Sequence, residues 1–486
     1  MKKVFSTFAA AVMFLLLSAQ SVFANEAVHE TVDESLPLWS IIPFVGMLLS
    51  IAIFPLVKAE WWEKNQLWVA LGWSAVFIIP FAIAYGGGEA VFRLLESVAG
   101  DFIPFIILLL GLFVVAGGIA VKGSIAGTTK GNIILLLIGT ILSSFIGTTG
   151  SAMLLIRPVI RANAWREKKV HIIVFFIFLI ANIGGSLTPL GDPPLFMGFQ
   201  RGIPFTWTLH MLPLLVVNAI ILLTVFALMD RHFVKKEIAA GRSPIDMAKG
   251  EKEPIRIEGA HNVIFIAMII FGVVLSGVLP KTVDSFANGA GIHLFDDYVF
   301  PYSSLVQCCI ILLATVLSMV TTKKSTRELN EFTFAPIEEV AKLFIGIFIT
   351  MVPALALLRV HGGELGIDQP WQMFWATGLL SSFLDNTPTY LVFLQTAGAL
   401  GETGADIVVT TVGNVLPHML LAISAGAVFM GANTYIGNAP NFMVKSIAEE
   451  NKIKMPSFFG YMAWSCAILI PTFIIDMLIF FNPWMS

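Results

Sequence analysis

Two pairs of matching polar motifs interrupt the apolar stretches of this 486-residue chain. Residues 143–150, SSFIGTTG, are similar to 381–388, SSFLDNTP, and residues 185–197, GSLTPLGDPPLFM, align without gaps on 431–443, GANTYIGNAPNFM. Gly, Pro, Thr and Asn expose backbone groups that lipid cannot satisfy, so such segments persist at membrane depth only inside protein or beside a watery cavity. Interrupted hydrophobic segments at matching places in two halves indicate the binding site of a secondary transporter.

The composition predicts an all-α polytopic membrane protein in contact with the lipid bilayer. Hydrophobic residues make up 57% of the chain and charged residues 13%, whereas soluble domains carry about 25% charged residues. Each half contains six apolar runs, most of them long enough to cross the hydrocarbon layer as a helix of roughly 20 residues. The runs lie near 37–57, 67–85, 102–121, 132–156, 170–198, 209–229, 260–280, 299–320, 335–358, 371–397, 407–448 and 457–481.

The first 24 residues are typical of a secretory signal peptide. Lys2 and Lys3 precede the apolar stretch 8–17, and residues 22–24 offer a cleavage site. The alternative is an uncleaved first helix. Both interpretations place residues 25–36 outside the cytoplasm.

The distribution of Lys and Arg predicts the topology. If the fourth run of each half enters the membrane and returns to the same side, 22 basic residues share one side, and the other side holds only Arg93, Arg201, Lys281 and Arg359. Short cytoplasmic loops are enriched in Lys and Arg, so the 22 residues mark the cytoplasm. They lie in the segments 58–66, 122–131, 157–169, 230–259, 321–333 and 445–454.

This topology predicts two inverted repeats, each of five spanning helices plus one re-entrant hairpin, with a broken helix per repeat. The repeats occupy 37–229 and 260–481, and 230–259 is a cytoplasmic linker. The hairpins enter from opposite sides, an arrangement that permits alternating access. The alternative is that 132–156 is an ordinary helix. We expect a multi-pass protein of the bacterial inner membrane with a periplasmic or extracellular C-terminus.

The paired motifs resemble those of the ion transporter superfamily, which includes divalent-anion/sodium symporters, citrate carriers, arsenite permeases and NhaD-type sodium/proton antiporters. Residues 384–388, LDNTP, and 184–192, GGSLTPLGD, are most similar to the NhaD-type branch and to bacterial proteins labelled citrate transporters. The resemblance covers 37–481 and also implies a possible homodimer. One pair departs from the NhaD pattern: Gly147-Thr148 stands where that pattern has Asp-Asn, so one carboxylate is missing.

The same motifs offer oxygen ligands for a cation. Sodium prefers hard oxygen ligands, which carboxylates, hydroxyls, amides and unwound backbone carbonyls supply. Thr148, Asp385, Asn386 and Thr387 are the expected ligands of a sodium ion. The predicted ion- or substrate-binding residues are Ser144, Thr148, Thr149, Ser186, Thr188, Asp192, Ser382, Asp385, Asn386, Thr387, Asn433, Thr434 and Asn438.

Asp385 is the foremost candidate, because a carboxylate within the membrane is costly enough to indicate function. The alternative is that Asp385 caps the helix that follows it, and the same two interpretations are open for Asp192. His418, expected in the middle of a helix at 407–430, is a candidate proton relay or a packing residue. Asp476, near the end of the last run, is expected at the membrane interface.

These residues predict a sodium/proton antiporter in which Asp385 binds either ion. The alternative is a sodium-coupled symporter of citrate or another carboxylate, for which only Arg157 offers a basic side chain. A remote alternative is an intramembrane aspartyl protease, but the Tyr-Asp and Gly-x-Gly-Asp motifs of that class are missing at both carboxylates. We therefore expect a transporter of a small ion or carboxylate, with sodium and protons as transported or coupling ions, and no enzyme activity, cofactor or nucleic-acid partner.

Overall fold

The computed structural model describes most of the chain and is mostly helical. Its only strands, within the described ranges, form three two-stranded antiparallel sheets. The predicted signal peptide, 1–24, and residues 243–253 of the predicted linker lie outside those ranges. The described residues are 26–123, 127–242, 254–287, 289–295, 298–404 and 406–482.

The first half begins with four helices, and a π-helical segment, Glu96–Phe102, joins the fourth helix to the fifth. A 3-10 turn, Ile183–Ser186, follows the eighth helix. In order, the elements are α1 (Glu26–Ser35), α2 (Ile42–Val57), α3 (Ala59–Tyr85), α4 (Gly87–Leu95), α5 (Ile103–Ala116), β1 (Ala120–Lys122), α6 (Thr129–Ile146), α7 (Thr148–Ala162), α8 (Val170–Leu179), α9 (Pro193–Gln200) and α10 (Leu212–Ala239).

The second half has a similar order and adds two β-hairpins. A 3-10 turn, Gly431–Asn433, divides its broken helix. The elements are β2 (Arg256–Glu258), α11 (Asn262–Thr282), β3 (Gly291–Phe295), β4 (Tyr298–Pro301), α12 (Tyr302–Thr321), α13 (Lys324–Leu329), α14 (Ala335–His361), α15 (Pro370–Ser381), α16 (Asn386–Gly398), β5 (Val408–Thr410), β6 (Gly413–Val415), α17 (Pro417–Met430), α18 (Ala439–Glu450) and α19 (Phe458–Phe480).

Nine helical segments of the described residues are long and apolar enough to cross a membrane. Eight coincide with predicted spanning helices, and the ninth is α6, which the sequence assigns to the first arm of a hairpin. The two predicted broken helices are each divided in two, as α8 with α9 and as α17 with α18. The fold class of an all-α polytopic membrane protein is therefore confirmed.

The two broken helices form the centre of the protein. Residues 171–179 of α8 and 422–430 of α17 are all buried. A helix that is hydrophobic all round has no face suited to water. Other helices enclose both of these: α17 packs against α15 and α16, and α8 packs against α10. The polar breaks that follow these two helices therefore lie inside protein.

Basic segments that the sequence assigns to one side contact one another. β1 pairs with β2 in antiparallel register. Arg157 Nη2 donates a hydrogen bond to Glu331 Oε2 at 2.7 Å, and Arg166 forms an ion pair with Asp230. These contacts bring four of the six basic segments to one end of the molecule: 122–131, 157–169, 230–259 and 321–333.

Several boundaries differ from the predicted ones. The basic segment 58–66, expected between two spanning helices, is itself helical, because α2 ends at Val57 and α3 begins at Ala59. Residues 87–101, expected outside the membrane helices, continue into α5 as one helical segment. The apolar run 407–448 begins with a β-hairpin, so α17 starts only at Pro417.

The helix that precedes the predicted linker extends into it, as α10 ends at Ala239. Asp230 lies within α10 and is fully buried. Its carboxylate accepts a hydrogen bond from Thr129 Oγ1 at 2.6 Å, lies 2.8 Å from His171 Nε2 and pairs with Arg166. These partners compensate the charge, which is why the helix continues through a residue that composition alone assigns to a solvated segment.

Candidate ion site at the hairpin tips

The tip of the first hairpin is a single glycine. α6 and α7 contact each other, and Gly147 alone separates them. Gly147 has φ 79° and ψ 152°, a backbone region that is essentially restricted to glycine. An aspartate would be strained at this position, which gives a physical reason why the first tip lacks the carboxylate of the NhaD-type pattern.

The tip of the second hairpin is longer and carries Asp385. Residues 382–385 separate α15 from α16, and Asp385 has φ −59°, which any residue adopts. Its carboxylate accepts a hydrogen bond from the Thr387 backbone N–H at 3.0 Å, and its side chain is partly exposed. Asp385 is therefore an N-cap, as the alternative interpretation of this residue expects.

Both broken helices resume at a polar residue in extended conformation, Asp192 before α9 and Asn438 before α18. Proline at the start of each new helix is compatible with the missing backbone N–H there. Neither polar side chain caps its own helix. Both are consequently available to groups on other elements.

Matching hydrogen bonds fasten each tip to the break of its own half. Thr188 Oγ1 donates to the Ser144 carbonyl, and Thr434 Oγ1 donates to the Ser382 carbonyl. In addition, the Ser144 hydroxyl donates to the carbonyl of Gly184, and the Ser382 hydroxyl donates to that of Met430 at 3.1 Å. These four predicted site residues thus support the backbone around the junction.

The Asp192 side chain accepts hydrogen bonds from both halves of the chain. Its Oδ1 accepts hydrogen bonds from Thr148 Oγ1 at 3.0 Å and Asn438 Nδ2 at 3.2 Å, and its Oδ2 accepts one from Asn386 Nδ2 at 2.9 Å. The residue is 1% exposed. All three donors are neutral, and no described basic side chain forms an ion pair with this carboxylate. Since a buried charge without a counter-charge is costly, the junction favours a bound cation or proton.

Three more predicted residues have a buried oxygen that makes no hydrogen bond, namely Ser186 Oγ, Thr387 Oγ1 and Asn433 Oδ1. Ser186 follows Gly185, at which an added Cβ would lie 2.6 Å from Thr148 Cγ2 and 3.1 Å from Asp192 Cβ. Glycine is therefore needed for the break to approach the tip. Buried oxygens without a partner carry an unfavourable desolvation energy that binding a hard cation would relieve.

Two predicted residues lie apart from this junction. Thr149 is only partly buried and follows Thr148 on α7. The placement of His418 in the middle of a helix is wrong, because His418 is exposed and is the second residue of α17. The β-hairpin before α17 shortens the helix that composition extends back to residue 407.

Two buried asparagines beside the site were missed by the sequence analysis. Asn182 Nδ2 donates to Asn441 Oδ1 at 2.7 Å, and Asn438 Nδ2 donates to Asn182 Oδ1 at 3.3 Å. Asn182 lies in an apolar run just before the first break, and Asn441 lies within the second aligned motif. Their positions beside the two helix breaks could have identified both asparagines as candidates.

A polar cavity of about 240 Å³ lies at the far ends of α9 and α16. Gln200 closes α9, and Gln395 lies in the last turn of α16. Because α9 has eight residues, the cavity is roughly 12 Å from Asp192 along that helix. The charged residues of its lining are Arg93, Glu96, Asp101, Arg201 and Arg359.

Comparison with known proteins identifies the family of this chain. Residues 33–481 match the family described as "Putative citrate transport". An uncharacterized transporter of Mycobacterium bovis and one of Mycobacterium tuberculosis are each 26% identical to the chain over 386 residues, which cover 70% of this chain and 86% of the relative. The family match includes both hairpin tips and both helix breaks. The chain therefore belongs to this family of membrane transporters.

Proposed function

We propose that the chain is a secondary transporter driven by a monovalent cation, sodium or a proton, that binds at Asp192. The observation that carries the proposal is the buried Asp192 carboxylate, whose side-chain hydrogen-bond donors among the described residues are the neutral groups of Thr148, Asn386 and Asn438. A cation bound here would touch both hairpin tips and both breaks at once. Its binding is therefore sensitive to any movement of one half against the other.

We also propose that the two halves are inverted repeats with re-entrant hairpins. The pairing of β1 with β2 supports this topology. If residues 132–156 crossed the membrane once, the chain would cross three times between the two strands, and they would lie on opposite sides. A hairpin that returns leaves two crossings, so the strands can pair, and the cluster of basic segments beside them favours the cytoplasm. This topology also supports an inner-membrane location with the linker in the cytoplasm.

Citrate, or a similar carboxylate, is the cargo that we favour. The description of the family supports it. The polar cavity also supports it, because the guanidinium groups of Arg93, Arg201 and Arg359 are suited to carboxylates. Ion pairs with Asp33, Glu89, Glu96 and Asp101 already engage all three arginines. An anion must compete with these carboxylates, so the cavity favours brief contact rather than tight retention. We expect the cavity to be an entrance on the route to Asp192.

Transport by purified protein in liposomes tests this proposal. Labelled citrate is supplied with sodium, with a proton gradient, with both or with neither. Uptake that requires one of the cations and is lost in Asp192→Asn supports the proposal. Uptake that Asp192→Asn retains at the normal rate contradicts the role of Asp192, and cation-independent uptake contradicts coupling.

Sodium/proton antiport is the second candidate function. The observation in its favour is that no described basic side chain pairs with Asp192, so the junction itself is better suited to a cation than to a tricarboxylate. In the same liposomes, collapse of a preset pH gradient on adding sodium or lithium without citrate would support antiport. A gradient that responds to neither cation, together with sodium-dependent citrate uptake, would exclude it.

A further inference from the structure

A second buried carboxyl lies away from the hairpin tips, between α10 and α19. Asp476 of α19 is fully buried. Its two carboxyl oxygens lie 2.9 and 2.8 Å from a single donor, Asn218 Nδ2 of α10. The other polar atom of that amide, Asn218 Oδ1, is buried and makes no hydrogen bond. Asn218 Oδ1 is thus an acceptor without a donor. The O–H group of a protonated Asp476 would supply that donor.

The surroundings of Asp476 contain no compensating cation among the described residues. α10 and the turn at 431–433 pack against α19, and α15 contacts it through Trp375 and Met477. Neither the turn nor α15 has a charged residue. The titratable or charged groups along α19 and toward this end of α10 are Tyr461, Cys466 and His210, and farther along α10 are Asp230, Arg231, His232, Lys235, Lys236 and Glu237.

Those groups are distant from the pair or occupied elsewhere. His210 precedes Asn218 by eight residues, and its Nδ1 lies 2.7 Å from the Trp207 carbonyl. Asp230 follows Asn218 by twelve residues, which is roughly 18 Å along a helix. Tyr461 precedes Asp476 by fifteen residues and donates to the Ala432 carbonyl at 2.8 Å. An ionised Asp476 would therefore be a buried charge stabilised by one neutral amide.

The other half of the chain provides a matched contrast. α10 and α19 begin 246 residues apart, the same separation as Asp192 and Asn438, so Asp230 and Asp476 occupy equivalent positions. Asp230 has Arg166 as an ion-pair partner and is also bonded to Thr129. Asp476 has Asn218 as its one side-chain partner among the residues that the structure describes. The charge of an ionised Asp230 is therefore compensated, whereas that of an ionised Asp476 is not.

We propose that Asp476 is a second proton-binding site of this protein, separate from the site at Asp192. The bound proton lies on one carboxyl oxygen and is donated to Asn218 Oδ1, while Asn218 Nδ2 donates to the other oxygen. The neutral carboxylic acid and the carboxamide then satisfy each other. The proposal depends only on this pair and its surroundings, so it does not rest on the proposed function.

Infrared spectroscopy of the purified protein in neutral, sodium-free buffer tests the proposal. We expect the spectrum of the unchanged protein minus that of Asp476→Asn to contain the carbonyl stretch of a protonated carboxylic acid. In Asn218→Ala the same band should persist and shift, because its hydrogen-bond acceptor is gone. Asp230→Asn is the matched control, and its difference spectrum should contain ionised carboxylate bands instead.

Three outcomes would overturn the proposal. A difference spectrum for Asp476→Asn with carboxylate bands and no acid band would mean that Asp476 is ionised. An acid band that sodium converts to carboxylate bands would mean that the pair is a sodium site. Retention of the acid band in Asp192→Asn would show that the band is independent of the hairpin-tip site, whereas its loss there would assign it to Asp192 and contradict a second site.

Discussion

The two hairpin tips perform the same task with different chemistry. Thr148 of the first tip and Asn386 of the second both donate to Asp192, at 3.0 and 2.9 Å. The residues just before them differ, because Gly147 adopts a conformation restricted to glycine, whereas Asp385 adopts a common one and caps its helix. The position that matters in each tip is therefore the first residue of the second arm.

This comparison changes which carboxylate is central. The resemblance to NhaD-type proteins directs attention to the residue before the arm, where one tip has Asp385 and the other lacks a carboxylate. In the structure both tips instead converge on Asp192, which belongs to the break between α8 and α9. A single buried carboxylate is thus hydrogen-bonded to both tips, and a movement of either tip would change its hydrogen bonds.

The largest expected effect is that of Asp192→Asn on transport. The substitution preserves size and removes the carboxylate that is hydrogen-bonded to both tips, so a bound cation loses its counter-charge. Breaking a buried ion pair costs about 3–5 kcal/mol, so we expect cation affinity to fall by more than about 100-fold. Cation-dependent uptake in liposomes measures the effect, and Asp385→Asn in the same assay is the control. Equal losses in the two variants would contradict the comparison.

Asn386→Ala should destabilise the junction next most strongly. It removes a donor to a buried carboxylate, and hydrogen bonds to charged groups contribute about 1.5–3 kcal/mol. We expect the free energy of unfolding in detergent to fall by about 2–3 kcal/mol. Thr396→Val on the same helix is the control, since Thr396 bonds only the Val392 carbonyl of its own helix. A loss no larger than that of the control would mean that Asn386 is not engaged with Asp192.

Gly147→Ala tests the difference between the tips directly. An added Cβ meets only ordinary contacts, with Leu190 O at 3.4 Å and Leu112 Cδ1 at 3.8 Å. Any destabilisation therefore arises from the backbone, and we expect roughly 1–2 kcal/mol. The matched control is Gly401→Ala, at an exposed loop glycine with φ 66° and no neighbour near an added Cβ. Its φ lies within the left-handed range that a minority of non-glycine residues adopt, so we expect a smaller loss there, and a larger loss than at Gly147 would contradict this account.

The smallest effect is expected at Asp385. Asp385→Ala removes the N-cap of α16 and should cost about 1 kcal/mol of unfolding free energy. Asp385→Asn should cost almost nothing, because asparagine caps as well as aspartate, and transport should continue at a similar rate. A large loss of transport in Asp385→Asn with normal stability would restore Asp385 as the ion-binding carboxylate and make the two tips functionally unequal.

Much of the fold was predictable from local properties of the sequence. Runs of apolar residues identified eight long helices, and Gly, Pro, Thr and Asn at 184–192 and 431–438 identified both breaks. Boundaries were less predictable where charged residues found partners. Asp230 remains inside α10 because Arg166, which is 64 residues earlier in the chain, lies beside it. Such a long-range contact cannot be predicted from local composition.

The sequence by itself determined that this is a polytopic membrane protein, and its two pairs of similar motifs included the residues of both tips and both breaks. Hydrophobic runs and helix-breaking residues act over a few turns, so they can be read locally. Only the tertiary structure decided which carboxylate is central. Asp192 and Asp385 both precede a helix, and both are plausible caps, yet Asp192 alone receives a donor 194 residues away in Asn386. That contact depends on how the two halves pack, which is a property of the whole chain.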